Sequence, residues 1–379
     1  MTQSMRILVV DDEAAMLRSM VRLLDGRYVV TAAASGEEAL GLASERAPDL
    51  AILDVRMPGM DGFDLADRLR AAHPGVDVIL MTGEVHEVDT QVVRAIREGA
   101  FYFVQKPFDR EVLLTLVERC LELRRLAQEN ARYLARLEDE LSDARSFQRS
   151  ILPPRQLRAA GIELDACYIP CTELGGDFYD YAELGEDGLA FLVADVSGHG
   201  VTAAMLTATL KSAFQGTLAA GFAPDAVVRA VAEALRSFDE GRFVTLFAGR
   251  IDSAGGLTYV NAGHPAPLLL SGAGEEEGVR RLGLTGPMVS PAFPDLVWDL
   301  KRDQLGPGDR LWIYTDGLAE TRNEEGECFG EERIVAAAAA AQIGDSNLDM
   351  LLQDARGHAG GRPLEDDITV LRVGKNLPT

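Results

Sequence analysis

In the first third of the chain, polar residues with reactive or chelating side chains close a series of short apolar runs. Asp11 and Asp12 follow ILVV (7–10), and Asp54 lies near the end of LAILDV (50–55). Thr82 follows VDVILM (76–81), and Lys106 follows FYFVQ (101–105). Segments with helical spacing separate these runs, for example Ala15 to Leu24 and Glu37 to Ala43. Strand–helix alternation with apolar strands predicts an α/β doubly wound, five-stranded parallel sheet covered on both faces. In such a sheet, ligands bind beyond the carboxyl ends of the strands, so these residues are brought to one edge. Carboxylates gathered there repel one another unless a divalent cation lies between them, and hard oxygen ligands suit Mg²⁺. A lysine and a hydroxyl beside them can hold a phosphoryl group.

The second half carries four acidic clusters: GGDFYD (175–180), ADVSGHG (194–200), YTDGLAE (314–320) and EDDITV (365–370). Three adjoin apolar strand patterns: FLVA before Asp195, LWIY before Thr315 and ITVL after Asp367. A lone buried carboxylate costs several kcal/mol, so clustered ones imply metal. The chain has no His/Cys set of zinc type, so Mg²⁺ or Mn²⁺ is the better match. Glycines at 175, 176, 198, 200 and 317 permit close approach of backbone to metal or phosphate. His199 and His264 sit in Gly-flanked turns and read as structural rather than as ligands or acids. The four cysteines, Cys120, Cys167, Cys171 and Cys328, are scattered and read as reduced thiols.

The elements that must position these groups fall into three regions. An α/β unit spans 1–120, a linker helix spans 110–151, and a third region spans 152–379. From Asp109 to Ile151 the sequence lacks Gly and Pro and keeps one heptad register. Its first position takes Leu113, Cys120, Ala127, Leu134, Leu141 and Gln148; its second takes Leu116, Leu123, Asn130, Leu137, Ala144 and Ile151. This predicts a coiled-coil seam and a parallel homodimer, with Asn130 setting the register. Pro153 and Pro154 stop the helix. Beyond Ile162, strands with Gly-rich turns and two helical stretches (203–219 and 225–235) predict an α+β domain, and Glu331 to Ala341 a late surface helix.

Lys plus Arg number 37 against 60 Asp plus Glu, a formal charge of −23. That balance argues against a nucleic-acid-binding surface. No uncharged apolar run reaches the ~20 residues of a membrane span. The N-terminus enters a strand pattern with no signal-peptide character, so a cytoplasmic location is expected.

The stretches VVDDE (9–13), LDVRMPGMDG (53–62), MTG (81–83), GA (99–100) and KP (106–107) resemble the receiver domain of two-component response regulators. The resemblance implies that Asp54 accepts phosphate from a cognate histidine kinase as an acyl phosphate. Asp11, Asp12 and Asp54, with the backbone carbonyl of Arg56, would hold Mg²⁺. Lys106 would pair with the phosphate, Thr82 would bond to it, and Phe103 would act as the rotameric switch. It also implies a cis peptide before Pro107.

The four acidic clusters, with QRSILPP (148–154) and YVNAGHPAPLLL (259–270), resemble the PPM-type (protein phosphatase 2C-like) catalytic domain, in the bacterial branch that includes SpoIIE and RsbU. The resemblance implies a β-sandwich flanked by helices and a centre of two Mn²⁺ or Mg²⁺ ions. Asp195 would bridge the ions, helped by the carbonyl of Val196. Asp316 and Asp366 would complete the coordination of the second ion, with Asp366 ranked above Asp367 within the Asp366–Asp367 pair, and Asp177 would act directly or through water. The implied substrate is a phosphorylated STAS-domain anti-anti-sigma protein, with the receiver controlling hydrolysis. Two alternatives remain open from sequence: a binding module with an inactive phosphatase fold, and a phosphatase of small phosphoesters.

Overall fold

In a computed structural model, the structure describes residues 5–83, 102–198, 200–239, 241–272, 278–293, 295–340 with the backbone of 341–343, and 348–376. The expected motif Gly99–Ala100 and His199 lie outside the described residues. The chain divides into two compact units, Met1–Leu137 and Glu138–Thr379.

The first unit is built on β1 (Arg6–Val10), β2 (Val29–Ala33), β3 (Leu50–Asp54), β4 (Asp77–Thr82) and β5 (Tyr102–Gln105). The strands form one sheet in the order β2-β1-β3-β4-β5, and every pairing is parallel. Helices α1 (Ala14–Leu24), α2 (Gly36–Glu45) and α3 (Gly62–Ala72) follow the first three strands. Ser35 caps α2 and Asp61 caps α3, each accepting the N–H three residues on. Leu8, Val10, Ala51 and Leu53 pack into one core, and Ile7, Val9, Leu50 and Ile52 into another on the opposite face. Burial on both faces explains why these strands read as unbroken apolar runs.

Helix α4 (Arg110–Ile151) runs for 42 residues. Its heptad stripe has three different environments, which corrects the expectation of one seam throughout. Leu113 and Cys120 are buried in the first unit's core, and Leu116 packs against it. Leu123, Ala127, Asn130, Leu134 and Leu137 are exposed. Gln148 is 5 % exposed, and Ile151 packs on a core of the second unit. A stripe claimed by two cores at its ends is available to a second copy only over 123–137.

The second unit holds two antiparallel sheets. One joins β8 (Phe178–Glu183), β9 (Leu189–Val196), β10 (Val244–Ile251), β11 (Gly256–Ala262) and β14 (Lys301–Gln304), in the order β14-β11-β10-β9-β8. The other joins β6 (Gln156–Ala159), β7 (Ile162–Ile169), β12 (Leu268–Leu270), β13 (Val279–Arg281), β15 (Arg310–Tyr314) and β16 (Ile368–Lys375), in the order β13-β12-β15-β16-β7-β6. Leu189, Phe191 and Val193 of β9 meet Leu311 and Ile313 of β15 and Leu371 and Val373 of β16 in the core between the sheets. The alternate residues of β9, Ala190, Leu192 and Ala194, face helices α5 (Val201–Leu218) and α6 (Pro224–Leu235). Trp312, Tyr314, Ile368 and Val370 face α8 (Gly330–Ile343) and α9 (Leu348–Ala359). A short helix, α7 (Asp316–Glu320), follows β15. The result is a β-sandwich with helices on both outer faces. Helices α7 and α9 and strands β6 to β8, β13 and β14 are additions to the sequence reading. Among the described residues, no helix is long and apolar enough to cross a membrane.

Candidate functional site

Strand parity builds the site in the second unit. Side chains alternate along a strand, so residues an even number of positions from an inward one also point inward. Leu189, Phe191 and Val193 point between the sheets, and Asp195 continues that series at the end of β9. Asp177 continues Tyr179 and Tyr181 of β8, Thr315 continues Leu311 and Ile313 of β15, and Asp367 and Thr369 continue Leu371 and Val373 of β16. Four inward stripes therefore turn polar at one end of the sandwich.

The Asp177 carboxylate is 3 % exposed and accepts a hydrogen bond from Thr315 Oγ1 at 2.7 Å. Thr315 Oγ1 in turn accepts the N–H of Thr369 at 2.9 Å. Burial, and then the charge of Asp195, push the Asp177 carboxyl well up from the usual carboxylate range. Asp195 is pushed up to about 7 by burial and by the carboxylates of Asp316, Asp366 and Asp367. Asp316, the first residue of α7, is also raised, by burial and by Glu320. The charged groups that raise Asp195 are thus all carboxylates. An all-oxygen, mutually repelling set of this kind fits hard divalent cations such as Mg²⁺ or Mn²⁺. Among the described residues, Asp195, Asp316 and Asp366 do not bring one carboxylate oxygen each within 4.8 Å of one another.

Asp367, the lower-ranked member of the expected Asp366–Asp367 pair, is bonded to backbone. Its Oδ1 accepts the N–H of Cys171 at 2.8 Å, and its Oδ2 accepts those of Gly176 at 2.5 Å and Asp177 at 3.3 Å. Both oxygens are engaged by backbone, so this carboxylate holds the loop that carries Asp177. Its neighbour Asp366 is exposed at the rim. Glycine is required around it: a Cβ on Gly175 would lie 2.3 Å from Asp367 Oδ2, and one on Gly317 would lie 2.1 Å from the Asp367 carbonyl. Gly176 approaches the carbonyl of Val196, where a Cβ would lie 2.5 Å away. Sequence reading missed the Thr315 bridge, although the threonine directly precedes Asp316. It also missed Arg242, whose Nη1 donates to the carbonyl of Ser197 at 2.8 Å.

His264 is 1 % exposed, with Nδ1 2.9 Å from Thr245 Oγ1, and its N–H donates to Asn261 Oδ1 at 2.9 Å. Burial pushes its imidazole down to about 3. The four cysteines are free.

In the first unit, Asp11, Asp12 and Asp54 bring one carboxylate oxygen each within 4.8 Å of one another. Lys106 Nζ lies 2.6 Å from Asp11 Oδ2 and 3.1 Å from Asp54 Oδ1. Burial raises the Asp54 carboxyl, and the Lys106 ammonium opposes that rise. Burial lowers Lys106, but its bonds to Asp11 and Asp54 outweigh that and leave it raised. Thr82 is fully buried at the end of β4, and its carbonyl accepts the N–H of Lys106 at 2.6 Å. Gly62 allows α3 to start against Asp54, whose carbonyl would lie 2.3 Å from a Cβ there. Arg56 is exposed in the loop after β3, and Phe103 is half-buried on β5 against the sheet's core. The Lys106–Pro107 peptide is cis.

Two predictions follow from this geometry. Removing a buried acceptor of three N–H groups strands all three, so Asp367→Ala should destabilise the second unit by at least about 3 kcal/mol in urea titration. Asp366→Asn, at an exposed position, should change stability by less than about 0.5 kcal/mol; equal losses would refute the division of roles. His264 in the unfolded chain takes a proton near 6.5, whereas the folded protein resists protonation until about 3. Its contribution is therefore complete above pH 6.5 and lost as pH falls, by about 2 kcal/mol at pH 5. Denaturation at pH 7 and pH 5 should show that increment in the wild type and not in His264→Asn.

Comparison with known proteins matches both units to described families. A response regulator receiver domain model matches residues 7–118, and the stage II sporulation protein E (SpoIIE) model matches residues 185–375. Protein IcfG of Synechocystis sp. is 31 % identical over 271 residues, covering 62 % of this chain and 42 % of that protein. Phosphoserine phosphatase RsbP of Bacillus subtilis is 30 % identical over 187 residues, covering 48 % of this chain and 45 % of that protein. The chain thus spans less than half the length of these curated relatives. Among solved structures, the SiaA-PP2C domain of Pseudomonas aeruginosa superposes with a TM-score of 0.54 at 26 % identity, covering 63 % of this chain and 97 % of that one. With a receiver domain ahead of a sandwich whose inward stripes end in acidic residues, the chain belongs to the SpoIIE family of PPM-type phosphatases.

Proposed function

We propose that this protein is a response regulator whose phosphorylation at Asp54 controls a metal-dependent protein serine/threonine phosphatase. The observation that carries the reading is the convergence of Asp177, Asp195 and Asp316 on one end of the sandwich, where Asp195 is raised to about 7 by burial and by other carboxylates. Asp195, Asp316, Asp366 and the Val196 carbonyl would hold two Mn²⁺ or Mg²⁺ ions, with Asp177 acting directly or through water. When bound, such ions supply a water of lowered pKa and neutralise phosphoryl oxygens. The chain's own part is to hold the carboxylates in place. Thr315 orients Asp177, and Asp367 fixes the loop that carries it. The name of RsbP supports phosphoserine as the substrate group. A STAS-domain anti-anti-sigma protein is the proposed carrier.

At the receiver, Asp11, Asp12 and Asp54, with the Arg56 carbonyl, would hold Mg²⁺. An Asp54 oxygen forms the bond to phosphorus as the bond to a donor histidine nitrogen breaks, and Lys106 and Thr82 receive the new phosphoryl oxygens. Phe103 is the proposed switch residue. The added charge then acts on a bistable element, for which α4 is the candidate. Leu134 and Leu137 are 55 % and 50 % exposed, and a parallel homodimer through the middle of α4 would cover them.

Hydrolysis of p-nitrophenyl phosphate with Mn²⁺ tests the enzyme. Wild-type turnover should fall by at least about a hundredfold in Asp195→Asn and should change when a small-molecule phospho-donor is added. No turnover under any condition would favour a binding module. Leu134→Glu combined with Leu137→Glu should convert a dimer to a monomer in sedimentation. The unfolding midpoint of each unit should stay in place, because both side chains are exposed. A wild type that sediments as a monomer would exclude the homodimer.

A further inference from the structure

We propose that Gln148 is a positioning residue: its side-chain amide ties α4 to the Gly175–Asp177 loop and so sets the acidic centre. The proposal rests on the phosphatase reading of that centre. Gln148 lies one turn before the end of α4 and is 5 % exposed. Its Nε2 donates to the Gly175 carbonyl at 2.7 Å, and its Oε1 accepts the Gly175 N–H at 3.3 Å. Both polar groups of one residue are thus satisfied by one side chain, as a neighbouring strand would satisfy them.

The loop has no slack to absorb a movement of this clamp. On one side of it, Gly176 N–H and Asp177 N–H are bound to Asp367. On the other, the Gly176 carbonyl accepts the N–H of Val196 at 3.3 Å, and the Leu174 carbonyl accepts that of Gly200 at 3.1 Å. Gly175 is wedged so closely that a Cβ would lie 2.4 Å from the Tyr168 hydroxyl. A displacement at Gly175 therefore passes to Asp177, the Val196 backbone and the Asp367 carboxylate together. At its other end, α4 is built into the receiver core through Leu113, Val117 and Cys120. A helix of 42 residues with no Gly or Pro transmits rotation or translation without a hinge. Gln148 is the point where that movement enters the site.

Full-length Gln148→Met is close in size and can make neither bond. The Mn²⁺ concentration for half-maximal p-nitrophenyl phosphate hydrolysis should rise at least about tenfold, while KM for that substrate moves less than about twofold. Amide exchange of the 172–180 peptide should quicken while the rest of the unit keeps its protection. Beryllofluoride, a phosphoryl mimic for Asp54, should alter hydrolysis and this exchange in the wild type and not in the variant. Gln148→Glu, which keeps the acceptor for the Gly175 N–H but sets an oxygen against the Gly175 carbonyl, should raise the Mn²⁺ requirement and quicken the same exchange, and it serves if the methionine variant does not fold. A variant with wild-type Mn²⁺ dependence and exchange overturns the proposal. So does a uniform fall in kcat with protection lost throughout the unit, which would make Gln148 merely structural. A wild type that hydrolyses nothing defeats the phosphatase reading instead. The exchange comparison then still decides the clamp, because it needs neither turnover nor metal.

Discussion

The carboxylate of Asp367, held by the backbone N–H groups of Cys171, Gly176 and Asp177, is the interaction on which the acidic end of the sandwich depends. A buried carboxylate saturated by N–H donors costs far less than an unpaired one, and the bonds to a charged acceptor are the strong ones. Asp367 therefore spends its charge on folding the loop between β7 and β8. That loop then presents Asp177 beside Asp195. The glycines at 175, 176 and 317 belong to the same constraint, because each stands where a Cβ would collide with Asp367 or Val196. What looks like a row of equivalent acids is a division between one that builds the site and others that face into it.

The two acidic centres solve the same electrostatic problem differently. In the receiver, Lys106 lies against both Asp11 and Asp54, so much of the repulsion is neutralised within the protein. In the sandwich the charged groups that raise Asp195 are other carboxylates, and it is held near 7. Mutual repulsion of this kind is what a divalent cation relieves. The stability of the sandwich comes from elsewhere, from the Phe191, Phe247 and Tyr259 stack between the sheets and from the helices packed outside them.

Helix α4 serves three environments with one apolar stripe. Its first turns complete the receiver core, its last residues enter the second unit's core, and its middle is exposed. The proposed coupling of receiver packing to Gln148 runs along this one helix. That coupling needs no hinge and no loop. It needs only that the helix remain continuous, and the absence of Gly and Pro from 110 to 151 provides for that.

The sequence by itself determined the parallel sheet, the long helix and the existence of both acidic centres. Apolar runs ending in Asp11, Asp54, Thr82 and Lys106 leave few other folds, because strand polarity brings their carboxyl ends to one edge. The same holds for Asp195 and Asp316, which close or follow apolar strands. What the tertiary structure alone decided is which groups each carboxylate meets. Asp366 and Asp367 are adjacent and chemically identical in sequence, yet one is exposed and the other is enclosed by three N–H groups. Those donors come from residues almost two hundred positions earlier in the chain, and local pattern carries no information about such a meeting. Gln148 is the same case. Its heptad position marked it as part of a seam, because periodicity records which face of a helix is used but not what covers it.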